Sequence, residues 1–344
     1  MSNAKLNPRQ SGAFIVEHAQ HVRIIPAGIE KLTQEIVKGL KEKRIAVENF
    51  SQHELHPNPN TNQDDYSKAA DWVFVLDTLN FCFWTPNNYT KYKVDGYTGY
   101  FALCAAIKRA IKEGLDVINP KFYSDIDLKT LKSIFRSDDG DTEIPLIEKR
   151  LEALHEVGKV VIEKYDGKFE NIIKKAEKSA VSLLNLIVEE FPCFRDEAEF
   201  AGKRVSILKR AQILVADVWS CYRGQGLGYF KDIEQITMFA DYRVPQVLVH
   251  FGSLEYSHEL MEFLKSDTIL ENGDPREVEI RGASIYIIEQ VRDAVIKVLQ
   301  EQHPEISLDN VNSIVIDQYL WDYRRQHNAD LEHIPFHKVV SIYY

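Results

Sequence analysis

Residues 67–84, SKAADWVFVLDTLNFCFW, are apolar almost all the way round at helical spacing. A helix of that kind is covered on every side, so the rest of the chain has to wrap it. The pattern predicts a central buried helix. It follows a polar loop, HPNPNTNQDD at 56–65, whose last residues are good helix caps. Other segments also read as helices. Residues 27–43 carry Ile29, Leu32, Ile36 and Leu40 at helical spacing. A helix near 97–113 should stop at Gly114, and Pro145 should open one that reaches about Tyr165. Further helices are expected over 168–190, 203–222 and 309–327. EVEIRGASIYII, at 277–288, reads as a short extended piece entering a helix that reaches about Gln302. The expected class is mainly α with a few short strands. It would form one domain over 1–344, or two closely packed helical lobes, with the first 60 residues least distinctive.

Charge and cysteine usage narrow the functional classes. The 42 Lys and Arg residues stand against 52 Asp and Glu, a formal charge of −10. The densest basic run is KEKR at 41–44. A polymeric nucleic acid needs a basic surface to displace its counterions, so it is disfavoured as a partner. A small phosphorylated ligand needs only a few cations. No apolar stretch is long enough to span a bilayer, and the N-terminus does not read as a secretory signal. Cys82, Cys104, Cys193 and Cys221 form no C-x-x-C pair, which suits reduced thiols in the cytoplasm. No metal-ligand motif is evident, and no metal or cofactor is expected. GQGLG, at 224–228, follows a helix and reads as a helix stop and turn, not a phosphate loop.

The stretch FADYRVPQ, 239–246, places Asp241 among apolar neighbours. A buried carboxylate is costly unless it is paired or used. Asp232 reads as the cap of a short helix over 232–239, and Pro245 as the start of VPQVLVHF, which stops at Gly252. Asp241 then lies just before a helix N-terminus, where a negative charge is favoured. Locally, an N-cap or ion pair is the simplest role, and a catalytic carboxylate the sharper one. Lys209, alone on a helix, reads as an exposed charge. Aromatic residues crowd 80–89, 95–101 and 318–323, as core or as a slot for a planar base.

Several longer stretches together resemble one family. They are LNFCFW (79–84), YTGYFALCAA (97–106), FRSD (135–138), KRAQILVADVWS (209–220), FKDIEQITMFADYRVPQVL (230–248), EVEIRG (277–282), YLWDY (319–323) and IPFHKVVSIYY (334–344). In this order they are similar to the queuosine salvage protein family, the queuosine 5′-phosphate N-glycosylases. The resemblance implies an all-helical fold related to helix-hairpin-helix DNA glycosylases. It implies hydrolysis of queuosine 5′-monophosphate to queuine and ribose 5-phosphate, the base then being available for insertion into transfer RNA by a separate enzyme. In the DNA glycosylase relatives a lysine and an aspartate serve the active site, and the matching positions are Lys209 and Asp241. The Gly-rich hairpin that grips DNA is not evident before Lys209, where FAGKRVSI holds only Gly202.

For that reaction, Asp241 is expected to be the central catalytic residue, ionised at neutral pH, with Lys209 touching the substrate or orienting Asp241. The base is expected to stack on some of Phe83, Trp84, Tyr97, Tyr100, Tyr242 and Trp321. Arg210, Arg243 and Arg281 are candidates for the phosphate. A 7-deazapurine lacks N7, so some group must assist its departure at N3 or elsewhere, and the sequence does not identify it. A DNA or RNA base glycosylase, or a non-catalytic queuine-binding helical protein, are the alternatives.

Overall fold

Two glycines set a close helix crossing. A Cβ on Gly282 would lie 2.5 Å from the Ile15 side chain, and one on Gly12 would lie 3.0 Å from Ile285. The helices Pro8–His18 and Pro275–Gln302 can approach this closely because both contact positions lack a side chain. Ile15 then packs with Phe200, Val205 and Val278 in a buried cluster. Residues 277–288 are therefore not a short extended piece entering a helix, and Gly282 marks no break. It sits inside one continuous helix of 28 residues.

The computed structural model describes residues 5–59, 66–86 and 89–344. The end of the polar loop at 60–65 lies outside them. The described residues are mainly helical, with sixteen α-helices and eight short strands paired two by two. Three pairs are antiparallel, and Ile269–Leu270 pairs in parallel with Lys338–Val339. None of the described helices is long and apolar enough to cross a membrane. By contacts, the described residues fall into two compact units. One comprises Met1–Val47, Asp196–Gln212 and Glu234–Val340; the other comprises Glu48–Arg195, Ile213–Ile233 and Ser341–Tyr344.

The expected helix over 203–222 begins later. Lys203–Ser206 is a strand paired with Glu197–Phe200, and the helix runs Lys209–Cys221. Between them Leu208 takes a left-handed conformation, with φ 55°, which turns the chain out of the strand. Val244–His250 forms as Pro245 predicts and is followed by Gly252 at φ +72°. The last long helix is Ser313–Gln326, capped by the Asn312 side chain.

In the second unit, the buried helix is real but shorter than its apolar run. It covers Tyr66–Thr78, and residues 79–86 leave helical geometry. Arg150, fully buried on the helix Ile147–Tyr165, accounts for this. Its guanidinium donates to the carbonyls of Leu79, Phe81 and Cys82, groups that a continuing helix would use itself. It also stacks 4.4 Å above the Phe81 ring. Replacing Arg150 with methionine should take this donor away from the three buried carbonyls. A loss of about 3 kcal/mol is expected, read as a lower urea midpoint.

Two other expectations in this unit need correction. The single helix over 168–190 is two, Phe169–Lys175 and Ala180–Glu190, because Glu177 and Lys178 adopt left-handed conformations. Asp232 does not cap the residues after it, which form only a 3₁₀ turn at Ile233–Gln235. Its carboxylate accepts from Ser179 Oγ and from the Ala180 amide at 2.6 Å, and so caps the Ala180–Glu190 helix.

Candidate active site

Residues 236–240, ITMFA, have no regular secondary structure and are buried. Their backbone groups must nevertheless be satisfied. Side chains from three helices do this within the first unit. Gln212 accepts from the Thr237 amide at 2.9 Å and donates to the Ile207 carbonyl at 3.0 Å. Asp317 Oδ1 accepts from the Phe239 amide at 3.1 Å. Arg281 Nε donates to the Ala240 carbonyl at 2.9 Å. The segment that delivers Asp241 is thus shaped by Gln212, Asp317 and Arg281, all far from it in sequence.

The same arginine reaches Lys209 through Asp196. Arg281 makes a two-pronged ion pair with Asp196, at 3.0 and 2.6 Å, and a further bond to Glu277 at 2.9 Å. Asp196 Oδ2 accepts from the Lys209 amide at 2.9 Å. The Asp196 carbonyl accepts from the Ile207 and Leu208 amides. One buried ion pair therefore fixes the backbone at Lys209 and the backbone just before Asp241. Burial pushes the Glu277 carboxyl up, against the pull of the Arg281 charge.

Three buried ionisable side chains here act on one another's charge. Lys209, Asp241 and Asp317 are 7%, 9% and 4% exposed. Lys209 is therefore not the exposed helical charge that its sequence context suggested. Asp241 Oδ1 accepts from the Arg243 and Val244 amides, at 2.8 and 2.9 Å, at the start of Val244–His250. The local N-terminal reading of Asp241 describes this oxygen. Burial raises the Asp241 pKa, while these amides and the charges of Lys209 and Arg243 favour its ionised form. Burial outweighs them, so the net shift is upward, where the helix N-terminus alone would lower it. Asp317 is held well above the usual carboxylate range, first by burial and then by the charge of Asp241, with Lys209 opposing. Among the described residues, the Oδ2 atoms of Asp241 and Asp317 accept no hydrogen bond.

The other candidates fall into the two units. In the first, the Tyr242 ring lies 5.2 Å from Phe336, and the half-buried Arg243 guanidinium lies 4.6 Å from the Phe336 ring. Arg324 donates to Gln246 at 2.8 Å, and burial pushes its pKa down to about 10. Trp321, half-buried, stands one helical turn after Asp317 and lies beneath the Arg325 guanidinium. Arg210 and Arg281 are fully buried, and the Arg281 donors are engaged by Ala240, Asp196 and Glu277. In the second unit, Phe83 is half-buried beside Arg150, and Trp84 is buried. Tyr97 donates to Glu54. His56 Nδ1 bonds the Phe50 carbonyl, so it carries the proton, and Nε2 accepts from the Tyr100 hydroxyl at 3.0 Å.

Comparison with known proteins agrees with the resemblance carried by the sequence. The family profile described as queuosine salvage protein matches residues 55–344. The chain belongs to the queuosine salvage protein family. Its relatives include the queuosine 5′-phosphate N-glycosylase/hydrolase of Bos taurus, 44% identical over 98% of this chain and 99% of the bovine protein. The protein of the same name from Mus musculus is 43% identical over 98% and 99%. That from the bacterium Sphaerobacter thermophilus is 36% identical over 82% and 83%.

In this queuosine salvage family member, sequence reasoning missed Asp317, Asp196 and Gln212. Asp317 carried the same signal as Asp241, a carboxylate inside an apolar run, SIVIDQYLW. The aromatic residues just after it drew the reading to 318–323. Asp196 and Gln212 show no such signal, since a polar residue beside a helix start is ordinary.

Proposed function

We propose that this chain hydrolyses the N-glycosidic bond of queuosine 5′-phosphate, with water as second substrate, to release queuine and ribose 5-phosphate. Relatives bearing that enzyme name align along nearly the whole chain. The observation that carries the mechanism is a buried carboxylate, Asp241, with one oxygen held by two amides and the other unengaged among the described residues. Departure of the base builds positive charge on the ribose. A fixed carboxylate stabilises that charge and can accept a proton from the attacking water.

Lys209 contributes charge that favours ionised Asp241. We assign it no Schiff-base role. Borohydride added during turnover should trap no covalent adduct, read by intact-protein mass; a trapped sugar adduct would reverse this assignment. For the phosphate, Arg243 is the best placed of the three arginines considered, because it is half-buried while Arg210 and Arg281 are fully enclosed. Tyr242 and Trp321, which lie in the same unit as Asp241, are the proposed base and ribose contacts.

The chain is read as one functional domain, distantly related in fold to helix-hairpin-helix DNA glycosylases. A β-hairpin, Glu197–Ser206, precedes the Lys209 helix in place of a Gly-rich DNA-gripping hairpin. That feature and the acidic net charge favour a free nucleotide over DNA or RNA. The four cysteines are buried thiols, in keeping with a cytoplasmic enzyme. The test is incubation of the pure protein with queuosine 5′-phosphate, followed by mass spectrometry. Free queuine and ribose 5-phosphate are expected. Unchanged nucleotide with tight binding would instead make the protein a carrier.

A further inference from the structure

We propose that Asp317 is the general acid of this reaction, supplying the proton that the departing 7-deazapurine takes up. The inference rests on the hydrolase reading above and assigns the donor that a base without N7 requires.

Asp317 and Asp241 are anchored to the same short segment. Asp317 Oδ1 holds the Phe239 amide, two residues before Asp241. Asp241 Oδ1 holds the amides two and three residues after it. Each aspartate keeps an Oδ2 with no hydrogen bond among the described residues. The two carboxyls are unequal. Asp241 has two amide donors, with Lys209 and Arg243 favouring its charge. Asp317 has one amide donor, and of the charged groups acting on it, Asp241 repels its ionised form and Lys209 supports it. Arg324 also senses Asp241. Neighbouring carboxyls in one buried site take a single proton between them, and the less supported one holds it. The anchoring therefore favours charge on Asp241 and the proton on Asp317, a division of roles between two carboxyls that glycoside hydrolysis uses.

The step balances. Water oxygen bonds to the anomeric carbon as the bond from that carbon to the base nitrogen breaks, its electron pair leaving with the base. Asp317 gives its proton to the base, and Asp241 takes one from water. Transfer of that proton to Asp317, directly or through solvent, resets the pair.

The discriminating variant is Asp317→Asn. Its amide oxygen can still accept from Phe239, so a purely structural Asp317 would leave the shape of the kcat–pH profile unchanged. For the wild type, kcat on queuosine 5′-phosphate should fall on the alkaline side as Asp317 loses its proton. In Asp317→Asn, kcat should drop by about 10²–10⁴-fold, with KM changed far less and the alkaline limb gone. Wild-type kcat and an intact alkaline limb in the variant would overturn the proposal. Should the variant not fold, the wild-type profile decides, because a kcat with no alkaline limb is incompatible with a carboxylic acid donor. Absence of any wild-type turnover would instead reject the hydrolase reading.

Discussion

Asp241→Asn should lose about 10³-fold in kcat on queuosine 5′-phosphate, while the protein stays folded. That factor corresponds to about 4 kcal/mol of transition-state stabilisation. It matches the order of effect seen when one preorganised electrostatic contact is removed from an active site. The substitution keeps an oxygen for the Arg243 and Val244 amides, so the start of the Val244–His250 helix is retained. On the proposed mechanism, what is lost is the negative charge that stabilises the ribose. Thermal melting should show little loss of stability, because neutralising a buried carboxyl removes a desolvation cost as well as an attraction. Steady-state kinetics with melting curves on the same samples check both parts. Near wild-type turnover would remove Asp241 from the mechanism.

Arg281→Met should destabilise the protein by about 3–5 kcal/mol, the usual result of removing one partner from a buried ion pair. The residue is 1% exposed, and its loss leaves Asp196 and Glu277 buried without their cation and the Ala240 carbonyl without this donor. Urea unfolding would report the change as a lower midpoint at similar slope. Adding Asp196→Leu should recover part of the stability, since an unpaired buried carboxylate is removed. It should not recover turnover. The Lys209 amide would then have lost its Asp196 acceptor, and Ala240 its arginine. Recovery of stability and activity together would mean that the ion pair is a packing element with no part in holding the site.

The legible parts of the chain were those governed by local rules. Helix positions followed the apolar spacing, and Pro245 and Gly114 mark ends as their backbone limits dictate, whereas Pro145 lies before the helix it was expected to open, which starts at Ile147. Errors arose where a distant side chain overruled the local preference. LNFCFW reads as helix until Arg150, far along the chain, takes its carbonyls. EVEIRGASIYII reads as a short extended piece entering a helix, whereas it lies within one continuous helix whose Gly282 serves a crossing with Ile15. At the site, Asp241 was visible as a charge out of place. Arg281 was visible as a cation but not as one already engaged, because its partner Asp196 lies in another part of the chain.

The irregular segment before Asp241 has a consequence for how such a site could be moved or copied. Its shape is encoded at Gln212, Arg281 and Asp317 more than in its own residues. Grafting FADYRVPQ onto another helical scaffold would carry the letters without the conformation. A change at any one of those three side chains would release a different backbone group of the same few residues.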